Sequence, residues 1–245
     1  LYVDKNGRQI NRQAGVRISY QSSQVVVEGN YMHDPRGTAN SWAYGHPMGP
    51  QGVINDMHDG NCVIRDNDMV GSEKHWWNDA IEGSGNGSVH GGPFRDTDLY
   101  GNMLVFANDD GTELDGGQIN VRYWNNRVER ALCGVSTAPC LRGPCYVFRN
   151  QFVHLGEERD VPGSSFKMGT GVFPNFGLTF VMHNTVERRP GRALNSTNTS
   201  GSFIKIAGKR WSLLKAVGPM IVRNNIFGAA EVAYPNYPSV QRGGD

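Results

Sequence analysis

A short pattern of apolar and polar positions recurs along this chain and ends each time on an asparagine turn. The first copy reads Val25-Val26-Val27-Glu28-Gly29-Asn30-Tyr31-Met32. Alternating apolar and polar residues are typical of β-strands, and asparagine tolerates the left-handed backbone of a tight bend. Each copy therefore predicts two short strands joined by a turn. The seven turn residues are Asn30, Asn67, Asn102, Asn126, Asn150, Asn184 and Asn225.

The spacing of these copies predicts a solenoid. Successive asparagines are 37, 35, 24, 24, 34 and 41 residues apart, as expected when stacked coils keep their strands and differ in loop length. Stacked turns would form an asparagine ladder. The longer loops, which tend to gather on one face, are predicted at 31–55, 74–93, 157–176 and 187–202. We therefore expect an all-β parallel β-helix, as a single domain over residues 1–245.

Composition agrees with this fold and limits the function. The 32 glycines and 19% charged residues are typical of a turn-rich β protein. A net charge of +1 provides no basic field for nucleic acid, and no apolar run is long enough to span a membrane. We expect a monomer. Because the chain starts at Leu1 and ends on Arg-Gly-Gly-Asp, we also expect a fragment or processed form of a longer product.

The four cysteines leave their pairing open. Cys140 can close a small loop with Cys145 or with Cys133, and such a bond would suit an oxidising, extracellular setting. Buried free thiols are the alternative. Cys62 lies five residues before Asn67, at an inward position of its coil, so we expect it in the core.

Carboxylates are concentrated in the stretch N-D-D-G-T-E-L-D-G-G at 108–117, and a partial copy of it lies 31 residues earlier. Asp79 of the copy matches Asp110, and Glu82 matches Glu113. We expect the surrounding glycines to leave the carboxylates accessible. The full set is Asp79, Glu82, Asp109, Asp110, Glu113 and Asp115.

Alternation across stacked strands predicts which of these side chains face outward. The expected inward positions are Ile81, Thr112, Val135, Phe166 and Ile204. Their neighbours then form one outward line with about 5 Å between successive residues, which puts Lys167 roughly 10 Å beyond two adjacent carboxylates. The outward line is Glu82, Glu113, Ser136, Lys167 and Lys205.

Two stacked carboxylates repel, so either one holds a proton or a cation neutralises both. Oxygen-rich clusters of this size suit Ca²⁺. The alternative is an exposed acidic edge that prevents the sheet from pairing with a neighbour. The predicted ligands are Asp79, Glu82, Asp109, Asp110 and Glu113.

The repeat resembles that of the right-handed parallel β-helix carbohydrate-active proteins, which include pectate lyases, polygalacturonases, alginate lyases and mannuronan C5-epimerases. Within it, the run Asp109-Asp110-Gly111-Thr112-Glu113 resembles the calcium motif of β-helical pectate lyases that use a lysine base. The resemblance implies that this run and Asp79 hold a cation that neutralises a uronate carboxylate. It also implies that Lys167 removes the C5 proton. Glu113 stands where that family has aspartate.

A second resemblance begins at Asp56-Met57-His58-Asp59, which is similar to the Asp-Pro-His-Asp segment of mannuronan C5-epimerases. It implies that His58 does acid–base work on the sugar. Met57 stands where that family has proline. The alternative is a turn histidine bonded to the backbone.

Aromatic and basic side chains near the carboxylates are candidates for substrate binding. Trp76 and Trp77, together with Trp42, can stack on the apolar faces of sugar rings, or they can be buried loop anchors. Arg127 can pair with a substrate carboxylate, and Lys205 extends the outward line.

These observations favour a secreted, extracellular or periplasmic enzyme that cleaves a uronate-containing polysaccharide by calcium-assisted β-elimination. The alternative is a glycoside hydrolase that uses paired carboxylates, with Glu113 and Asp110 among the candidates. A C5-epimerase and a non-catalytic carbohydrate-binding or adhesin-like β-helix are further alternatives. The net charge of +1 indicates no basic groove for a polyanion, which keeps the hydrolase open.

Overall fold

A computed structural model describes residues 13–159, 161, 164–168, 175–187, 204–206, 220–227 and 240–242, together with 2–3 and 9–10. Regular structure in these ranges is β-strand, apart from a short 3-10 helix at Trp42–Tyr44. Within the described ranges no helix has the length and apolar character needed to cross a membrane.

Eight strands, one from each repeat and a further one at the C-terminal side, form a parallel sheet. Neighbours in this sheet come from successive repeats and pair in register, so that Leu99 lies between Ile64 and Tyr123. The strands are Val26–Glu28, Val63–Arg65, Asp98–Tyr100, Val121–Trp124, Cys145–Phe148, Thr179–Met182, Met220–Arg223 and Val240–Arg242.

A second parallel sheet contains twelve strands in two stacks, and two long strands run through both. One stack follows the asparagine turns. The other, which we call the site stack, lies at the far end of the long strands. The turn-side strands are Tyr31–His33, Asp68–Val70, Met103–Glu113, Arg127–Thr137, Gln151–Val153, Thr185–Glu187 and Ile226–Phe227. The site stack comprises Ala14–Ile18, Gln51–Asn55, Ile81–Gly83, the ends of the two long strands, Ser164–Met168 and Ile204–Ile206.

The predicted asparagine ladder is present over all seven repeats. In the first six, the side-chain amide donates to the side-chain oxygen of the asparagine in the next coil, at 2.8 to 3.1 Å. Asn126 shows the full pattern, because its amide group also donates to Leu99 O and its oxygen accepts from the Asn102 backbone. Buried amides that satisfy each other in this way fix the register of one coil on the next.

The core between the sheets is a continuous column of apolar side chains. Tyr123, Phe152 and Phe166 are the largest fully buried side chains in this column. Cys62 lies in this core as predicted. All four cysteines are buried and free, so neither candidate disulfide is formed and the alternative of buried free thiols is confirmed. The described residues thus form an all-β protein of stacked parallel sheets, an architecture compatible with a solenoid. A separate antiparallel pair joins Tyr2–Val3 to Gln9–Ile10.

Candidate acidic site

The site stack has the register that alternation predicts. Thr112 pairs with Ile81 on one side and Val135 on the other, and Val135 pairs with Phe166, which in turn pairs with Ile204. The first four of these side chains are fully buried. Their outward neighbours therefore align across successive strands. The aligned pairs are Glu113 with Ser136, Ser136 with Lys167, and Lys167 with Lys205.

Three carboxylates from two adjacent coils meet in the site stack. Asp79, Asp110 and Glu113 each offer an oxygen within 4.8 Å of the other two. The Asp110 backbone N–H donates to Asp79 Oδ1 at 2.8 Å, which holds the two coils together at this point. Asp110 Oδ1 is buried and has no hydrogen-bond partner among the described residues. We call these three residues the carboxylate cluster.

Lys167 reaches back toward this cluster from two strands away. Its strand position is where the register predicts, but its ammonium group does not lie 10 Å from the carboxylates, because Nζ contacts Asp110 Oδ2 at 2.5 Å. Burial opposes the charge on this lysine. Asp110, Asp109 and Asp115 outweigh that effect and raise the pKa of Lys167 well above its ordinary value. The side chain is therefore an ammonium ion, 20% exposed.

The carboxylates are much less accessible than the sequence suggested. Asp79, Asp109, Asp110 and Asp115 are buried, and only Glu113 of the 109–115 stretch is half-buried. Burial, assisted by neighbouring carboxylates, raises the pKa of Asp79 and of Glu113 well above ordinary values. Burial also raises the pKa of Asp109 and of Asp115 to about 6.

Gly111 of this stretch, like Gly134 on the neighbouring strand, serves packing rather than access, which corrects the expectation above. A Cβ at Gly111 would lie 2.4 Å from Val128 Cγ1, and one at Gly134 would lie 2.3 Å from the Phe152 ring. Since both positions face the core, the absent side chains allow the coils to close beneath the acidic residues.

Asp109 and Asp115 lie beside the cluster and have other partners. Asp109 accepts a hydrogen bond from the Trp42 indole N–H at 3.1 Å, and His46 Nε2 lies 3.7 Å from its second oxygen. Asp115 accepts from the Ser136 hydroxyl at 2.7 Å and from the Ala138 backbone N–H. Ser136 is consequently covered, although its strand position faces outward.

Glu82 lies on the strand next to the cluster, where it pairs with Ile54 of the preceding coil. Its charge is one of those that raise the pKa of Asp79. Of the five predicted metal ligands, the structure thus brings Asp79, Asp110 and Glu113 together. It places Glu82 at the border of the cluster and turns Asp109 toward the loop at 34–50.

Two of the predicted long loops border the acidic residues on opposite sides. The loop at 34–50 contacts the strand just before the cluster, through Asn108 Nδ2 and Ala39 O at 2.9 Å. The loop at 84–93 contacts the residues just after it, since Asn86 Nδ2 lies 3.4 Å from Asp115 Oδ2 and Gly117 donates to Gly91 O. The loop predicted at 187–202 falls outside the described residues beyond Glu187.

Trp76 and Trp77 are not available for stacking on a sugar. Both are buried, at 1% and 4% exposure. The Trp76 indole N–H donates to Glu73 O, and its ring packs edge-on against Phe106 with centroids 5.0 Å apart. The structure favours the second of the two interpretations, because Trp76 contacts the loop through Thr38 and Trp77 packs in the core.

His58 lies in the protein interior, away from any surface that substrate could reach. It is fully buried, its Nε2–H donates to Asn55 Oδ1 at 3.0 Å, and its Nδ1 accepts from the Gly60 backbone at 2.9 Å. Burial lowers its pKa to about 4. Both ring nitrogens are engaged, which counts against the predicted acid–base role and fits the turn-histidine interpretation. Asp56 is held by Ser84 and Arg17.

The two basic residues predicted to bind substrate differ in position. Arg127 begins its strand at the end remote from the cluster, where it pairs with Glu129 at 3.0 Å and donates to Gln151. The structure therefore does not bring Arg127 into the site. Lys205 pairs with Lys167 on the adjacent strand as predicted, while its side chain lies outside the described part of the chain.

The contact of His46 and Trp42 with Asp109 was not foreseen from the sequence. The sequence offers Trp42 as a candidate for sugar stacking, but Trp42 and Asp109 are 67 residues apart, and no periodic signal connects them. The one available signal was the Trp-x-x-x-His spacing within a proline-containing loop.

Comparison with known protein families, curated proteins and solved structures found no match for this chain.

Proposed function

We propose that the stacked coils form a single right-handed parallel β-helix and that the chain is a carbohydrate-active enzyme. It would cleave a uronate-containing polysaccharide by β-elimination, with Ca²⁺ held by the carboxylate cluster. The observation that carries this proposal is the meeting of Asp79, Asp110 and Glu113 within 4.8 Å, in contact with one lysine. A polymeric substrate places such an enzyme outside the cell.

The carboxylate cluster fits a calcium ion. Calcium takes oxygen ligands at about 2.3–2.6 Å, so two ligands on one ion are at most about 5 Å apart, in agreement with the spacing of the cluster. Asp110 Oδ1 is buried without a hydrogen-bond partner among the described residues, as expected of a metal ligand. When all three carboxylates are ionised they outnumber the one lysine in contact with them, and a divalent cation would offset the excess negative charge.

A bound cation would also allow this acidic site to bind an acidic sugar. Bound calcium would neutralise the uronate carboxylate and acidify the proton on C5. Without it, the carboxylate cluster would repel a polyanion. Asp79 and Asp110 are buried and form the inner side of the site. Glu113 and Lys167 are half-buried and border the surface that substrate can reach.

Lys167 is the base in this scheme. In its neutral form it takes the C5 proton, the electron pair forms the C4=C5 double bond, and the C4–O bond to the leaving sugar breaks. The leaving oxygen takes a proton from solvent. Because Asp110 favours the ammonium form of Lys167, the ion pair between them has to open before the lysine can accept a proton.

Glycoside hydrolysis is the second candidate. Two features favour it: the raised pKa of Glu113, and the pairing of Lys167 with Asp110. A half-buried carboxyl that keeps its proton is suited to general acid catalysis. One oxygen of Asp110 lies within 4.8 Å of one oxygen of Glu113, which is compatible with the roughly 5 Å between the carboxyl groups of retaining hydrolases. The epimerase alternative is weakened because His58 is buried and fully hydrogen-bonded.

The experiment is a cleavage assay over a panel of uronate polysaccharides, with calcium and then with chelator. The lyase predicts a calcium-dependent rise in the absorbance of the unsaturated product, abolished in Lys167→Ala and retained in Lys74→Ala, an exposed lysine elsewhere in the chain. Reducing ends without that absorbance, insensitive to chelator and lost in Glu113→Gln, would instead establish the hydrolase. Absence of both products would refute an enzymatic role on these substrates.

A further inference from the structure

The loop segment 38–48, which we call the platform, is extensively hydrogen-bonded within itself. The buried Asn40 side chain donates to Ser41 O, Gly45 O and His46 O, and its oxygen accepts from the Met48 backbone at 3.0 Å. Ser41 Oγ caps the short 3-10 helix by accepting from Ala43 N at 3.0 Å. Such internal hydrogen bonding holds a loop in one conformation in the absence of any ligand.

Three contacts fasten this platform to the coils. The Ala39 backbone donates to Trp76 O at 2.9 Å and accepts from Asn108 Nδ2 at 2.9 Å. The Trp76 backbone donates to Thr38 Oγ1 at 3.0 Å. The buried Trp76 therefore supports the platform from below, and Asn108, the residue before Asp109, ties it to the acidic strand.

The platform presents two aromatic rings directly at the acidic site. The Trp42 indole N–H donates to Asp109, and the ring is 36% exposed. The His46 side chain is 70% exposed, lies 4.8 Å from the Trp42 ring, and donates from Nδ1 to Pro47 O. Trp42 is therefore held in a fixed position by its polar edge while part of its apolar surface remains in water.

We propose that the Trp42 ring stacks on a sugar ring of the substrate in the subsite next to the carboxylate cluster. His46 borders that subsite. Tryptophan offers a broad apolar surface that matches the C–H face of a pyranose ring. The bond to Asp109 fixes the position of this surface relative to Asp110, the next residue along the strand. The inference rests on the proposed carbohydrate function and assigns the residue that positions the substrate.

The test measures binding separately from cleavage. Oligogalacturonate, oligomannuronate and neutral xylo-oligosaccharides are titrated into the whole chain with calcium present, and the Kd is read from tryptophan emission and confirmed by calorimetry. The variants are Trp42→Ala, which removes the stacking ring, and Trp42→Phe, which keeps a ring but loses the bond to Asp109. Tyr31→Ala is the matched control, because Tyr31 is 65% exposed and stacks on His33 in the turn-side stack.

We expect Trp42→Ala to weaken binding of at least one oligosaccharide by about tenfold or more. Trp42→Phe should keep part of the affinity, and Tyr31→Ala should leave it unchanged. Equal affinity in the wild type and Trp42→Ala, or no binding of any probe by the wild type, would overturn the proposal. Trp42-dependent binding without any cleavage would leave the stacking proposal standing and count against the proposed enzymatic function alone.

Discussion

The buried carboxylates should make this protein less stable as the pH rises through the mildly acidic range in the absence of calcium. Asp109 and Asp115 each have a pKa of about 6 in the folded state, against an ordinary value of 3.8. A carboxyl whose pKa is raised by folding binds its proton more tightly in the folded chain. Its contribution to stability is therefore present at low pH and is lost as the pH rises from 3.8 to about 6.

The magnitude follows from the size of that interval. At about 1.36 kcal/mol per pH unit, the roughly two units between the two values correspond to about 3 kcal/mol for each carboxyl. This is a large share of the roughly 5–15 kcal/mol by which a folded domain is stable. Lys167 does not cancel the trend, because its raised pKa contributes constant stability at every pH below the ordinary lysine value.

The assay is chemical unfolding of the wild type and of Asp115→Asn between about pH 4 and pH 7, with chelator present. The amide cannot ionise and its oxygen still accepts from Ser136, so the variant should lose about 3 kcal/mol less than the wild type over this range. Asp56→Asn is the control of opposite sign. Hydrogen bonding by Ser84, with Arg17, lowers the pKa of Asp56, so the loss of stability in that variant should be greatest at neutral pH.

Calcium should reverse the effect. An ion that binds only the folded chain stabilises it by about 2.7 kcal/mol at a hundredfold excess over its Kd, and the gain should be larger near neutral pH, where the carboxylates are ionised. Parallel stability curves for the wild type and Asp115→Asn would refute the reasoning, because they would show that Asp115 titrates alike in the folded and unfolded chain.

Three further predictions concern the scaffold. Asn126→Ala should lower the free energy of unfolding in urea by about 2–4 kcal/mol, because it leaves buried partners unsatisfied. Asn30→Ala, at the exposed end of the ladder, should lower it by less. Equal losses in the two variants would contradict this. His58→Gln should lower the melting temperature and leave kcat unchanged, whereas a selective loss of kcat would restore a catalytic role. Thiol titration should find four reactive groups in denaturant and almost none in the native protein, and fewer than four in denaturant would reveal a disulfide.

The periodic parts of this fold could be predicted from the sequence. The asparagine ladder repeats at every coil, and the turn-side strand begins directly after each asparagine, so the register of that stack follows from the spacing of the ladder. The site-stack strands follow at varying distances, and the pairing of Thr112 with Ile81 and Val135 was predicted by aligning the segments before the long loops. The same register placed Glu113, Ser136 and Lys167 on neighbouring strands. Periodicity predicts backbone neighbours because every coil repeats the same path.

What the repeat does not specify is where long side chains and loops go. The reach of Lys167 back to Asp110 depends on rotamers and on the excess of carboxylates. The burial of Trp76 depends on how the loop at 34–50 folds over it. The contact of Trp42 with Asp109 joins two segments whose separation carries no sequence signal. The sequence therefore indicated which segment carries the acidic site, but not how its side chains and the neighbouring loops are arranged around it.

Calcium titration by calorimetry near neutral pH tests the central claim most directly, namely that the carboxylate cluster binds a cation. The account predicts one bound ion in the wild type, binding lost in Asp79→Asn, and binding retained in Asp98→Asn. Asp98 is an acidic residue paired with Arg122 on the other sheet and serves as the control. No binding by the wild type, or undiminished binding in Asp79→Asn, would contradict the account.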